Sequence, residues 1–265
     1  MKPPGIITSR RHALVEELRT IRDDQKSPFL FLEGPRLVQE ALQSGQRIDI
    51  LVWTPSADRE PVLKAAVSGC RRTFQVSESV FRAVSDVESP QGILAVIRRP
   101  QWEWKDLFNR APAPILVLDR LQNPGNLASI IRTAEAAGAA GLVTTPGTAR
   151  LFSPKALRGA MGSTLRLPSQ EHRPTPEITS KLKNASYTLV AATLSSKEKS
   201  AISYTQLDWH MPRAVLLGQE GCGFSADWEP FIEKYVYIPM QSPVESLNVA
   251  AAAAILLYES ARRSA

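Results

Sequence analysis

The chain has 265 residues, 43% of them hydrophobic and 22% charged, enough apolar material for one large core or two ordinary ones. No apolar run approaches the ~20 residues of a membrane span, and the opening MKPPGIITSRRHALVEELRT lacks the apolar stretch of a signal peptide. The net charge of +6 fits a polyanionic partner without identifying one. Cys70 and Cys222, with three scattered histidines, are too few for a disulfide framework or a zinc site, so no metal is expected and a reducing cytoplasm is the expected location.

In chain order, SRRHALVEELRTIRD reads as a helix, PFLFLEG as a strand, and PRLVQEALQSG as a helix with Pro35 at its first position and Gly45 as its stop. RIDILVW, TFQVS and GILAVI are strands, with helices in REPVLKAAVSG and SESVFRAVSD. The alternation predicts a small α/β domain over residues 1–99. Residues 100–114 carry Pro100, Pro112, Pro114, Trp102 and Trp104 and read as a linker, its tryptophans packing between domains or stacking on bases. From residue 115 to 265 the alternation resumes, with strands ILVLD, GLVTT, TLVAAT, AVLLG and YVYIP. Four of these are apolar almost throughout, as in a parallel sheet covered on both faces. Between Arg150 and Arg173, Arg150, Lys155, Arg158, Arg166 and Arg173 stand against Glu171 alone, either a solvated loop or a contact for a polyanion.

Three strand-to-helix junctions in the second domain end in loops of Gly, Pro and small polar residues, where open α/β sheets bind ligands. They lie in LDRLQNPGNLASIIRTAEAAG, LLGQEGCGFS and IPMQSPVESLNVAAAAAILLYE. None has dinucleotide or P-loop spacing. In the first, Asn126 is expected to cap a helix whose apolar face holds Leu127, Ile130, Ile131, Ala134 and Ala137. Arg132 lies opposite that face beside Ala128, Ser129 and Ala136, small residues that let another helix or a bound chain approach. In the third, an alanine-rich helix expected to be buried on most sides opens with Glu245, Ser246 and Asn248. Ser246 is a candidate N-cap; the alternative is that these polar groups serve a ligand.

The three stretches, in this order and spacing, resemble the three motifs of the SpoU/TrmH family of RNA 2′-O-ribose methyltransferases, in the SPOUT superfamily, over the whole of residues 115–265. FLEGPRLVQEAL and PQGILAVI resemble the small RNA-binding domain that precedes the catalytic domain in many members. The resemblance implies a parallel sheet with a deep trefoil knot whose loops grip S-adenosylmethionine largely through main-chain groups. By matching position, the cofactor contacts fall at Gly218, Ile238 and Leu247, with Met240 in the apolar slot and Thr193 as a further contact. Asn126, Arg132, Glu220, Ser246 and Asn248 match the family's catalytic positions. Two positions depart from it: Ser242, where glycine is usual, and Ala250, where serine is usual.

The implied reaction is methyl transfer to a ribose 2′-hydroxyl of structured RNA, ribosomal rather than transfer RNA, by a homodimer. Asn126 and Arg132 of one chain are expected to complete the site formed by Glu220, Ser246 and Asn248 of the other. In the family the motif arginine is proposed as the base. A guanidinium holds its proton strongly, so a fork of donors that clamps a phosphate or stabilises the developing oxyanion is the alternative. A transfer-RNA enzyme and a non-catalytic RNA-binding protein of the same fold are the other readings.

Overall fold

The computed structural model describes residues 5–194, 201–219 and 221–264. The chain forms two units, Met1–Gln101 with Phe152–Leu165, and Trp102–Leu151 with Arg166–Ala265.

In the first unit the order is α1 (Ala13–Asp23), β1 (Phe29–Glu33), α2 (Pro35–Gln43), β2 (Ile48–Trp53), α3 (Pro61–Gly69), β3 (Arg72–Gln75), α4 (Glu78–Val84) and β4 (Ile93–Arg98). Local chemistry sets the turns. Gly34 takes φ 98°, a conformation open to glycine, and Pro35 then starts α2. The Ser77 hydroxyl accepts from the Val80 N–H and caps α4. The sheet runs β1-β4-β2-β3, with β4 antiparallel to both neighbours and β2 parallel to β3. One core joins Leu30, Leu32, Leu37 and Ile97; the other joins Leu14, Leu18, Phe81 and Val96.

The second unit opens with α5 (Trp104–Phe108), in the stretch expected to be a linker. Glu103 and Asp106 form a capping box, and Trp104 stacks on Phe108 one turn later, with ring centroids 6.0 Å apart. The Trp104 indole N–H donates to Glu177, so this tryptophan packs inside the second unit. There follow β5 (Ile115–Leu118), α6 (Pro124–Ala136), β6 (Gly141–Thr144), α7 (Pro154–Ala160), β7 (Ser169–Gln170), α8 (Thr175–Asn184), β8 (Thr188–Thr193), β9 (Ile202–Ser203), β10 (Arg213–Leu217), β11 (Lys234–Tyr237) and α9 (Val249–Ser264). All seven strands pair in parallel, in the order β7-β6-β5-β10-β8-β11-β9. β5, β6 and β10 are buried along their whole length, as expected of largely apolar strands in a sheet covered on both faces; the buried exceptions are Thr144 and Arg213. The two-residue strands β7 and β9 carry no apolar run and were not legible in the sequence.

The second unit does not run unbroken from residue 115, as the sequence reading had it. At Phe152–Leu165, which includes α7, the chain returns to the first unit. Leu157 and Leu165 enter the core of Leu30, Leu32 and Leu37. Gly162 lies so close to α2 that a β-carbon there would stand 2.6 Å from the Glu40 carboxylate. In the second unit α6 and α9 pack on each other. The last helix is less enclosed than its sequence indicated: Val249, Ala253, Leu256 and Leu257 are buried, whereas Ala251 and Tyr258 are exposed. Among the described residues no helix is long and apolar enough to cross a membrane.

Candidate active site

Beyond the carboxyl ends of β8, β10 and β11 lies a cavity of about 440 Å³. Ala192, Thr193 and Leu194 form one wall, Leu217, Gly218, Gln219, Gly221 and Gly223 a second, and Val236, Ile238 and Met240 a third; the chain from Ser246 to Leu256 closes it. The five positions matched to cofactor contacts, Gly218, Ile238, Leu247, Met240 and Thr193, all line this one cavity, together with Ser246 and Asn248. The lining is largely apolar, with Val236, Ile238, Met240, Leu247 and Leu256 facing a few polar groups. That mixture and the volume are those of small-molecule sites.

The loop after β10 explains its glycines one by one. A β-carbon on Gly218 would stand 2.2 Å from the carbonyl carbon of Gly223 and 2.3 Å from the nitrogen of Phe224, so no side chain fits there without moving backbone. Gln219 and Gly223 exchange both main-chain hydrogen bonds, the Gln219 N–H donating at 2.9 Å and the Gly223 N–H at 2.8 Å. Closing so short a loop needs left-handed backbone, found at Gly221 (φ 81°) and Gly223 (φ 66°).

The polar residues at the mouth of α9 divide their work differently from the sequence reading. Asn248, not Ser246, caps the helix: its side-chain oxygen accepts from the Ala250 N–H at 2.9 Å, and its carbonyl accepts from the Ala252 N–H at 3.0 Å. Ser246 is exposed and faces the cavity. At α6 the cap is Asn123 rather than Asn126, its oxygen accepting from the N–H groups of Gly125 and Asn126. Pro124 supplies the reason, since proline at the first helical position makes its predecessor the cap. Asn126 instead accepts a 3.2 Å bond from the Asn248 side-chain amide of the same chain. Within one chain, then, a hydrogen bond already joins the first and third motifs.

Arg132 is exposed on α6 and does not line the cavity of its own chain. Its neighbours Ser129 and Ala136 are exposed as expected, but Ala128 is buried, which narrows the open strip on this helix. Glu220 lies outside the described residues. The basic run after Arg150 is largely neutralised: Arg166 forms a two-pronged pair with Glu135, Arg173 lies 3.8 Å from Glu177, and Arg158 pairs with Asp86 at 3.1 Å. Among the described residues no group of three or more His, Cys, Asp and Glu side chains could hold a metal ion. Val249, Ala252 and Leu256, which no motif position indicated, also face the cavity from α9. Their spacing of three and four was the available signal, since it puts them on one face of a helix.

Comparison with known proteins agrees with this geometry. Residues 113–258 match the SpoU rRNA Methylase family, and residues 14–95 match the MRM3-like substrate binding domain. An uncharacterized tRNA/rRNA methyltransferase of Synechocystis is 33% identical over 97% of this chain and 93% of its own. The 23S rRNA (guanosine(2553)-2′-O)-methyltransferase RlmP of Bacillus subtilis is also 33% identical, over 92% of each chain. Among solved structures, the AdoMet-bound rRNA methyltransferase from Sinorhizobium meliloti superposes with a TM-score of 0.80 at 27% identity, covering 97% of both chains.

Proposed function

This chain belongs to the SpoU rRNA methylase family, and from that premise we propose that it transfers a methyl group from S-adenosylmethionine to a ribose 2′-hydroxyl of ribosomal RNA. One observation carries the reading: the five positions matched to cofactor contacts line a single cavity whose rim carries Ser246 and Asn248. The residues present fit the cofactor. Ile238, Met240 and Leu247 offer an apolar slot for a flat heterocycle, and the tight loop from Gly218 to Gly223 brings main-chain groups to the cavity edge. When bound, S-adenosylmethionine supplies a methyl group already activated on a sulfonium.

The protein's share is orientation and proton management. Holding the ribose oxygen in line can lower the barrier by about 7–11 kcal/mol in favourable cases. Ser246 and Asn248 are the proposed contacts to the target nucleotide, with Asn126 fixing the Asn248 amide through their hydrogen bond. Glu220 is proposed as a further member of this group from its motif position. Arg132 would clamp a phosphate or stabilise the oxygen as its proton leaves, which a fork of five donors does well.

A homodimer is part of the same proposal. Ser129, Arg132 and Ala136 on α6, and Ala251 and Tyr258 on α9, are exposed and would be the side chains a second copy covers. Arg132 would then reach the partner's cavity rather than its own. The trefoil threading implied by the resemblance and a cytoplasmic location for a chain with two free cysteines, Cys70 and Cys222, are proposed alongside.

Incubating the protein with ribosomal RNA and S-adenosylmethionine carrying a labelled methyl group, then digesting the RNA to nucleosides, tests the reading. The label is expected in a 2′-O-methylnucleoside. Label on a base, or no transfer to ribosomal RNA by protein that binds the cofactor, would overturn it.

A further inference from the structure

Asp119, the residue after β5, is 2% exposed and belongs to neither the cofactor-contact nor the catalytic residues named above, although it opens the first motif stretch. A carboxylate buried this deeply costs free energy unless it is fully bonded, and this one is. One oxygen accepts from the Thr145 hydroxyl at 2.8 Å; the other accepts from the Ser225 N–H at 2.8 Å and from the Arg120 Nε at 3.3 Å. The Asp119 N–H donates to the Leu217 carbonyl at 2.9 Å. Asp119 therefore holds both ends of the loop that leaves β10 at Leu217 and finishes at Ser225. Between those ends lie Gly218, Gln219, Gly221 and Gly223, all facing the cavity.

Thr145 extends the arrangement to the end of β6. Its hydroxyl donates to Asp119 and accepts from the Arg120 N–H at 3.0 Å. This holds Arg120 in a left-handed conformation (φ 53°) that few non-glycine residues adopt. Strain of this kind persists where the surroundings over-determine it, often beside a ligand site.

We infer that Asp119 is a positioning residue for S-adenosylmethionine: it does not touch the cavity, but it brackets the cofactor loop and sets the main-chain groups of Gly218, Gln219, Gly221 and Gly223 at their working positions. The inference rests on the methyltransferase reading, and its chemistry is the hydrogen bond from the Ser225 N–H to a buried carboxylate. That bond can be removed from either side. Ser225 has φ −71°, within proline's range, so Ser225→Pro deletes the N–H; the ring Cδ then stands where the proton pointed and pushes the Asp119 carboxylate away, so the bond is lost from the other side. Asp119→Ala deletes the acceptor, while Asp119→Asn retains an oxygen that can still face Ser225.

Calorimetric titration with S-adenosylmethionine and steady-state kinetics on the full chain decide the matter. Ser225→Pro and Asp119→Ala are each expected to weaken cofactor binding by about 10-fold or more, the usual cost of a bond to a charged group. The double variant should bind no more weakly than Asp119→Ala, because both changes remove the same bond. Asp119→Asn should lie closer to wild type. KM for S-adenosylmethionine should rise while KM for RNA stays put, a split that a fall in folded fraction does not produce. If Asp119→Ala does not fold, Ser225→Pro decides alone. Variants that bind the cofactor as wild type does overturn the positioning role. Wild-type protein that binds no S-adenosylmethionine overturns the functional reading itself, and this inference with it.

Discussion

Replacing Arg132 by alanine is expected to lower kcat for methyl transfer by about 10²–10³-fold, the usual cost of deleting one donor to a developing oxyanion, while cofactor affinity stays within about 2-fold of wild type. The separation follows from position. Arg132 is exposed on α6 and contributes nothing to the lining of its own chain's cavity, so its loss leaves both the core and the cofactor slot in place. Lysine at this position should recover only part of the activity, since it keeps the charge but loses the planar fork. If the arginine serves a second copy, mixing Arg132→Ala chains with Asn248→Ala chains should restore activity, because one site of each heterodimer regains both groups. Asn126 needs no such exchange, as it already bonds Asn248 within its own chain. Arg132→Ala protein that has lost cofactor binding would contradict this placement of the arginine, and verified heterodimers with no recovery would contradict the shared site.

At Gly218 the expected effect falls on binding. A methyl group there would stand 2.2 Å from the Gly223 carbonyl carbon and 2.4 Å from its oxygen, both rigid main chain. Overpacking of this kind costs about 1–3 kcal/mol. If the loop relieves it by opening, Gly218→Ala should weaken S-adenosylmethionine binding by roughly 5–150-fold. Gly69→Ala is the control, since a β-carbon there meets nothing within 4 Å. Calorimetry on both variants checks the claim, and a Gly218→Ala protein that binds like wild type would show that the loop's geometry does not matter to the cofactor.

Local periodicity made most of the fold readable. The apolar runs at residues 115–118, 141–143 and 214–217 announce strands buried on both faces, and each lies in one. What stayed hidden depends on contacts between residues far apart in the chain. Nothing in the sequence near Ser225 indicates that its N–H ends on Asp119, 106 residues earlier. Leu157 and Leu165 have the same apolar character whichever core receives them, so the return of Phe152–Leu165 to the first unit left no local trace. Other features were legible and misread. Pro124 names Asn123 as the helix cap. Glu103 and Asp106 flank a helical turn inside a proline-rich stretch that reads as a linker. The cofactor positions came from the resemblance rather than from chemistry, because an apolar slot lined by main chain leaves no titratable signature in a sequence.

Mapping 2′-O-methyl groups across the RNA of cells with and without the gene decides whether this protein methylates a ribose of ribosomal RNA. A 2′-O-methyl mark in ribosomal RNA is expected to disappear with the gene and to return when the wild-type chain, but not Arg132→Ala, is restored. A change confined to transfer RNA, or none in any RNA, would contradict it.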